Sequence, residues 1–195
     1  MNTIEYNTMP RLTQVAHEQL ASAILPGDYV IDATAGNGHD TLFLAERVGR
    51  TGVVLGIDRQ PDALRSTGKR LNEAGCAEQV RLALGNHADM LEFLPGNWRH
   101  RVKAVVFNLG YLPGSDKEVI TTAESTREAL DASLQLLQPR GVLSILVYRG
   151  HDGGHAEEEM IQAWLQQNDG AFSKVEWNDG DHPTNSSPRL LTCYR

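Results

Sequence analysis

The sequence predicts an α/β protein: a doubly wound, Rossmann-like sheet, mostly parallel, with an antiparallel strand at its C-terminal edge. Three observations predict it. Helical segments alternate with short apolar runs along nearly the whole chain. Several of those runs are continuously apolar rather than alternating, as strands covered on both faces are. The runs also end in polar residues, namely Asp32, Asp58, Asn86, Asn108 and Tyr148-Arg149, which places them along the carboxyl edge where open α/β sheets hold ligands.

Each element has its own signal. Residues 11–25 carry Leu12, Val15, Ala16, Leu20 and Ile24 at helical spacing and are stopped by Pro26-Gly27-Asp28. Residues 29–33 form the first strand, 34–40 a Gly-rich turn and 41–48 a helix. The second strand, 53–57, ends at Asp58. A helix at 61–74 opens on Pro61, a residue suited to a first helical turn. Strand three spans 80–84, a short helix 88–94, and strand four 102–107. The longest helical candidate is 117–137. Pro139-Arg140-Gly141 reads as a turn before 142–148, the most apolar strand. Residues 150–154 form a loop, 156–167 a helix and 172–177 a strand. A loop over 178–188, rich in Asn, Asp, Ser, Pro and Gly, leads to the last strand at 190–194.

The chain has 195 residues, a length that fits one domain. With 41% hydrophobic and 22% charged residues, it is neither disordered nor fibrous. Its net charge of −7 excludes a generally polyanion-coating protein, so any RNA contact needs a local basic patch. Candidates are Lys69-Arg70, the group Arg99, His100, Arg101 and Lys103, and, nearer the ligand edge, Lys117, Arg149 and Arg189. The two cysteines, Cys76 and Cys193, make no CxxC pair, so neither a zinc ribbon nor a disulfide framework drives folding. The opening residues lack the apolar run of a signal peptide, and no stretch approaches the ~20 apolar residues of a membrane helix. The expectation is a cytoplasmic protein with reduced thiols.

The strongest local signal is Asp32-Ala33-Thr34-Ala35-Gly36-Asn37-Gly38-His39-Asp40-Thr41. Gly36 and Gly38 admit backbone angles closed to other residues and let a ligand lie against the main chain. Asp58 follows 20 residues after Gly38, where a carboxylate can accept both hydroxyls of a ribose. A dinucleotide site shares this logic, but Thr41 stands where its third glycine would be. Asp40 would also repel a pyrophosphate at the helix start. An acidic turn suits a cationic ligand such as S-adenosylmethionine (SAM), with Asp32 toward its ammonium group. The other reading of the segment is a tight turn with a helix-capping Asp. Gly85-Asn86-His87 is either an adenine-edge contact, with Asn86 donating and accepting, or a plain turn.

Asn108-Leu109-Gly110-Tyr111-Leu112-Pro113-Gly114 follows strand four. SAM-dependent amino methyltransferases carry an Asn or Asp-Pro-Pro-aromatic turn here, which aims an amine's lone pair at the methyl carbon. The gain is orientation and desolvation. Asn108 and Tyr111 match those roles by spacing, with Leu109-Gly110 in place of the prolines. The alternative is a strand-exit loop with Tyr111 in the core. His39, Asp116, His151 and His155 are candidate acceptors for the amine's proton, as is solvent. His151-Asp152-Gly153-Gly154-His155 has the look of a metal loop but lacks a third clustered ligand. It reads as a substrate- or cofactor-side contact or as a plain loop, and no metal is expected. His17 either caps the cofactor or is a half-buried structural histidine.

The segments DATAGNGHDTLFLA, NLGYLPGSDKEVITTAEST and VYRGHDGGHAEEE together resemble a small bacterial family of class I SAM-dependent methyltransferases labelled "putative rRNA methylase", which includes the tRNA wobble 5-aminomethyl-2-thiouridine methyltransferases. The resemblance runs from about His17 to Glu159. It implies SAM as cofactor, held by Asp32, Gly36, Asn37, Gly38, Asp58, Asn86 and His87, with Asp40, Thr41 and Asn108 beside them. It implies a catalytic turn over 108–113 containing Asn108 and Tyr111; beside it, Leu112, Pro113, Lys117, Arg149 and His151 are the expected substrate-side residues. It also implies a homodimer acting on a tRNA anticodon stem-loop. rRNA or a small-molecule amine is the alternative acceptor. A non-catalytic SAM or dinucleotide module is a third class, which has no need of an amine-aiming turn.

Overall fold

The computed structural model describes residues 11–110, 121–150, 153–181 and 183–195. In chain order the elements are α1 (Arg11–Ala23), β1 (Tyr29–Asp32), α2 (His39–Val48), β2 (Val53–Asp58), α3 (Pro61–Glu73), β3 (Val80–Leu84), β4 (Val102–Leu109), α4 (Ala123–Leu136), β5 (Leu137–Val147), α5 (Gly154–Gln167), β6 (Lys174–Asn178) and β7 (Arg189–Tyr194). Short 3₁₀ turns at His87–Asp89 and Gly96–Trp98 join β3 to β4. The seven strands form one sheet in the order β3-β2-β1-β4-β5-β7-β6.

The first five strands pair in parallel, and β7 runs antiparallel to both β5 and β6. The mixed character predicted at the C-terminal edge is present, but the reversed strand lies one position in from the rim. Burial explains the choice. Leu190, Leu191 and Cys193 of β7 are buried, whereas β6 is half exposed and carries Lys174 and Glu176. Charges of that kind blunt a free sheet edge against further pairing.

Each strand feeds two cores because successive side chains point to opposite faces. One layer joins Ile31, Ile57, Phe107 and Ile145 to Leu130 of α4 and to Ile161 and Trp164 of α5. The other joins Val30, Val54 and Val106 to Leu20 and Ile24 near α1, Leu44 and Val48 of α2, and Leu71 of α3. Each fully buried side chain of this size stabilises the fold by ~1.5–3 kcal/mol. The indole N–H of Trp164 donates to Asp131 at 2.8 Å, so the largest buried ring leaves no polar atom orphaned.

Helix starts follow local chemistry. Pro61 opens α3. At α4, Thr122 and Ser125 exchange side-chain-to-backbone bonds in a capping box. Two expectations shift. The helix expected at 88–94 tightens to a 3₁₀ turn, because seven residues before Pro95 are too few to nucleate an α-helix. The expected turn at 139–141 is a bulge inside β5: pairing with β4 jumps from Val102↔Leu137 to Ala104↔Val142, with Arg140 at φ 63°. Among the described residues, no helix is long and apolar enough to cross a membrane.

The topology puts β1 between β2 and β4, so strand order reverses beside β1 at the carboxyl edge. Such a switch point is where open α/β sheets form their ligand crevice.

Candidate active site

The turn after β1 is braced from behind. Asp32 is fully buried. It accepts the Thr41 hydroxyl at 2.6 Å and the Thr34 N–H at 3.2 Å. Burial pushes its carboxyl up to about 7, with the Asp40 charge adding and the bonds from Thr41 and Thr34 opposing. Thr41, equally buried, fills the place of a third glycine with a hydroxyl that serves Asp32. At the tip, Gly36 and Gly38 take φ 53° and 79°. A Cβ on Gly38 would lie 2.8 Å from the Thr67 backbone, so α3 seats directly on the turn. Thr67 donates its hydroxyl to the Gly36 carbonyl at 2.9 Å, and Arg70 Nε donates to the Asn37 carbonyl at 2.8 Å.

Asp58 closes the turn from β2. Its Oδ2 accepts the Gly36 N–H at 2.8 Å and its Oδ1 the Gln60 N–H at 2.9 Å. The residue is half-buried, and each oxygen keeps a further lone pair for a ligand. After β3, Asn86 Oδ1 accepts the Ala88 N–H at 3.2 Å and starts the 3₁₀ turn. His87 is buried edge-on to Phe107 at 5.8 Å. Burial, assisted by the Arg59 charge, holds its ring down to about 4, so it is neutral at pH 7. Its Nε2 has no hydrogen-bond partner among the described residues.

Asn108, at the end of β4, is held twice. Its backbone N–H donates to the Thr34 hydroxyl at 2.7 Å, and its side-chain Nδ2 donates to Asp40 Oδ2. Asp40 Oδ1 bonds His17 Nε2 at 2.5 Å, and the His17 ring stacks on Phe43 at 3.8 Å between centroids. His17, Asp40 and Asn108 line one small cleft with Thr13 and Ser144. Tyr148 stands beside it. Burial and the Asp40 charge keep its phenol protonated above the usual range, against a bond with Thr13.

The register fixes how these groups relate. Asp32 is level with Gly56 of β2 and with Val106 of β4. Asp58 and Asn108 therefore stand on the same rung, two residues past Asp32, on the two strands that flank β1. Neighbouring strands are ~4.8 Å apart, so the two backbones are separated by about 10 Å with the Gly-rich turn between them.

The sheet thus gathers Gly36, Asn37, Gly38, Asp58, Asn86, His87 and Asn108 along one edge, with Asp32 and Thr41 behind the turn. Asp40, the residue that invites a capping role, caps nothing: the helix N-cap is Gly38, without a side-chain bond. Tyr111, Leu112, Pro113, Lys117 and His151 lie outside the described residues.

Arg149 and Arg189, candidates for an RNA contact, are engaged within the chain. Arg149 donates to the carbonyls of Ser187 and Thr184 at 2.8 Å each and pairs with Glu158 at 3.6 Å. Arg189 pairs with Glu158 and Asp179 and lies 4.5 Å above the Trp177 ring. Both cations are spent on holding the C-terminal loop, because partly buried carboxylates there demand neutralisation. The group Arg99, Arg101 and Lys103 sits at the amino end of β4, the far end from the cleft.

Sequence reasoning passed over Thr67 and the roles of Thr34, Arg70 and Tyr148, of which Arg70 was named only in a basic pair and Tyr148 only as a polar strand end. Only Thr34 had a local signal, as the residue two past Asp32 in an Asx turn. Thr67 and Arg70 reach the turn from 31 and 33 positions away.

The family model described as "Putative rRNA methylase" matches residues 54–193. A chloroplastic tRNA (mnm5s2U34)-methyltransferase of Arabidopsis thaliana is 43% identical over 79% of this chain, and the chain spans 58% of that protein's length. A Clostridium thermocellum structure described as a "putative rRNA-methylase" superposes with TM-score 0.88 at 34% identity, covering 96% of this chain and 98% of the other. A Streptococcus mutans protein described as "a putative methyltransferase", solved with S-adenosylhomocysteine (SAH), superposes with TM-score 0.82 at 28% identity, covering 96% and 99%.

Proposed function

We propose that this chain, which belongs to the "Putative rRNA methylase" family, is a SAM-dependent N-methyltransferase that acts on the aminomethyl group of wobble 5-aminomethyl-2-thiouridine in tRNA. The observation that carries the reading is the shared rung of Asp58 and Asn108 on either side of the Gly-rich turn. The Arabidopsis relative's name supports the substrate, and the SAH held by the Streptococcus protein supports the cofactor. An anticodon stem-loop contact, a homodimer and a cytoplasmic location belong to the same proposal.

The residues present fit SAM. Asp58 offers spare carboxylate lone pairs for ribose hydroxyls beside glycines that permit close approach. The orphaned Nε2 of His87 and the Nδ2 of Asn86 supply polar atoms toward the adenine end. When bound, SAM supplies an electrophilic methyl group on a sulfonium sulfur. Asn108 does the steering: with its Nδ2 given to Asp40, its Oδ1 is turned to accept an amine N–H. The amine lone pair is then aimed along the edge toward the turn, and the gain is one of orientation.

The family description favours a second acceptor, rRNA. Incubating the purified protein with methyl-labelled SAM and three RNAs separates the two. The expected result is label on an anticodon stem-loop bearing 5-aminomethyl-2-thiouridine, and none on the same RNA with plain uridine. Label in rRNA fragments with none in the stem-loop would replace this reading by the rRNA one.

A further inference from the structure

We infer that Asp40, anchored by His17, is a positioning residue that locks the Asn108 amide with its nitrogen turned inward and its oxygen toward the substrate amine. The inference rests on the amine-methylating reading above and adds two residues to it, one of them from α1, an element outside the Gly-rich turn and the strand ends.

An Asn side chain has two nearly isosteric ends, an acceptor oxygen and a donor NH₂. Rotation about its last torsion exchanges them, and that torsion is soft. The exchange matters for an amine nucleophile. The oxygen end accepts an N–H and leaves the amine lone pair pointing onward, whereas the NH₂ end would bond to the lone pair itself and block attack. Something must therefore tell the two ends apart.

Asp40 does so. A carboxylate only accepts, so it can bond the NH₂ end of Asn108 and not the oxygen end. Its position is free for the task, since the N-cap of α2 is Gly38 and makes no side-chain bond. Its other oxygen is held by His17 Nε2, and the His17 ring lies flat on Phe43, tilted by 5°. The Asn108 backbone is fixed independently by Thr34. The chain Phe43–His17–Asp40–Asn108 thus orders a single amide orientation from α1 and α2 to the end of β4. His17, Asp40 and Asn108 share one cleft.

A double-mutant cycle tests the lock. Asp40→Ala is expected to lower kcat by about 100-fold, the scale of a misaligned reacting group, with the KM for SAM within about threefold of wild type. In the Asn108→Ala background the same substitution is expected to have almost no further effect. The exchange Asp40→Asn with Asn108→Asp restores a donor–acceptor pair and is expected to exceed both single variants in turnover. Independently of activity, the Asn108 side-chain amide should give two well-separated, slowly exchanging proton signals by NMR, which merge toward solvent behaviour in Asp40→Ala. Additive losses in the cycle, wild-type turnover in Asp40→Ala, or an unchanged amide signal would overturn the lock. A wild-type protein that transfers no methyl to the amine would instead overturn the reading beneath it, and the amide signal then decides the lock alone.

Discussion

Two clusters of charged side chains sit at the same carboxyl edge of the sheet and behave in opposite ways. Around the turn after β1, Asp32 and Thr41 satisfy each other behind the backbone, while the Asp58 oxygens, each accepting one N–H, keep lone-pair capacity. Around the C-terminal loop, Arg149, Glu158, Asp179 and Arg189 neutralise one another, and the Arg149 guanidinium reaches main-chain carbonyls as well. The first cluster keeps hydrogen-bonding capacity in front of a scaffold, and the second spends its charges on internal pairs. A charge at a strand end marks a binding position only when its hydrogen-bonding capacity exceeds what the chain itself consumes.

Substitutions can break or sharpen that contrast. The largest effect is expected at Asn108→Ala. Turnover should fall about 10²–10³-fold, as when one oriented polar group is removed from a reacting centre, with SAM affinity nearly unchanged. Single-turnover assays beside binding titrations would show it, and equal losses in both would move Asn108 to the cofactor. Next is Asp58→Ala, expected to weaken SAM binding by about 100-fold, since hydrogen bonds to a charged group contribute ~1.5–3 kcal/mol. Calorimetry measures this directly, and unchanged affinity would remove Asp58 from the site.

In the second cluster the readout should switch from binding to stability. Arg189→Met leaves Asp179 without its cation and Glu158 with Arg149 alone, and is expected to cost about 2 kcal/mol, below the range for fully buried pairs because the group is partly exposed. SAM affinity should hold within about twofold. A large affinity loss with normal stability would make the loop part of the site.

A further effect is a pH slope. Asp32 carries a carboxyl raised from 3.8 to about 7 by burial, so the folded state holds its proton more tightly than the unfolded chain. Its contribution to stability is therefore full below about 4 and is lost as pH rises toward about 7. Asp32→Asn removes that dependence and should gain on wild type across this window in urea melts. His87, lowered to about 4 by burial, runs the other way: its contribution is present above about 6.5 and lost as pH falls toward about 4. A parallel pair of curves for wild type and Asp32→Asn would show that Asp32 ionises normally.

What the sequence disclosed follows from range. Asp32, Gly36, Gly38 and Asp58 were legible because strand, turn, helix and strand fix them within one local unit. Asn108 was legible as the polar end of an apolar run. Asp40 was legible as an acidic residue in the turn but not in its role, because its partners His17 and Asn108 lie 23 and 68 positions away. The intramolecular partners of Arg149 and Arg189 were not legible: Ser187, Thr184 and, for Arg189, Glu158 lie 31 to 38 positions away, and the nearer Glu158 of Arg149 and Asp179 of Arg189 are joined to them across loops of no pattern. The bulge at Arg140 was read as a turn because Pro and Gly mark both, and only pairing with β4 tells them apart.

The most direct test of the account is nucleoside mass spectrometry of tRNA from cells lacking this protein, complemented with wild type or with Asn108→Ala. The account predicts that unmethylated 5-aminomethyl-2-thiouridine accumulates in the deletion and in the Asn108→Ala strain, and that its methylated form returns only with wild type. A deletion strain that keeps the methylated nucleoside at the wild-type level would contradict it.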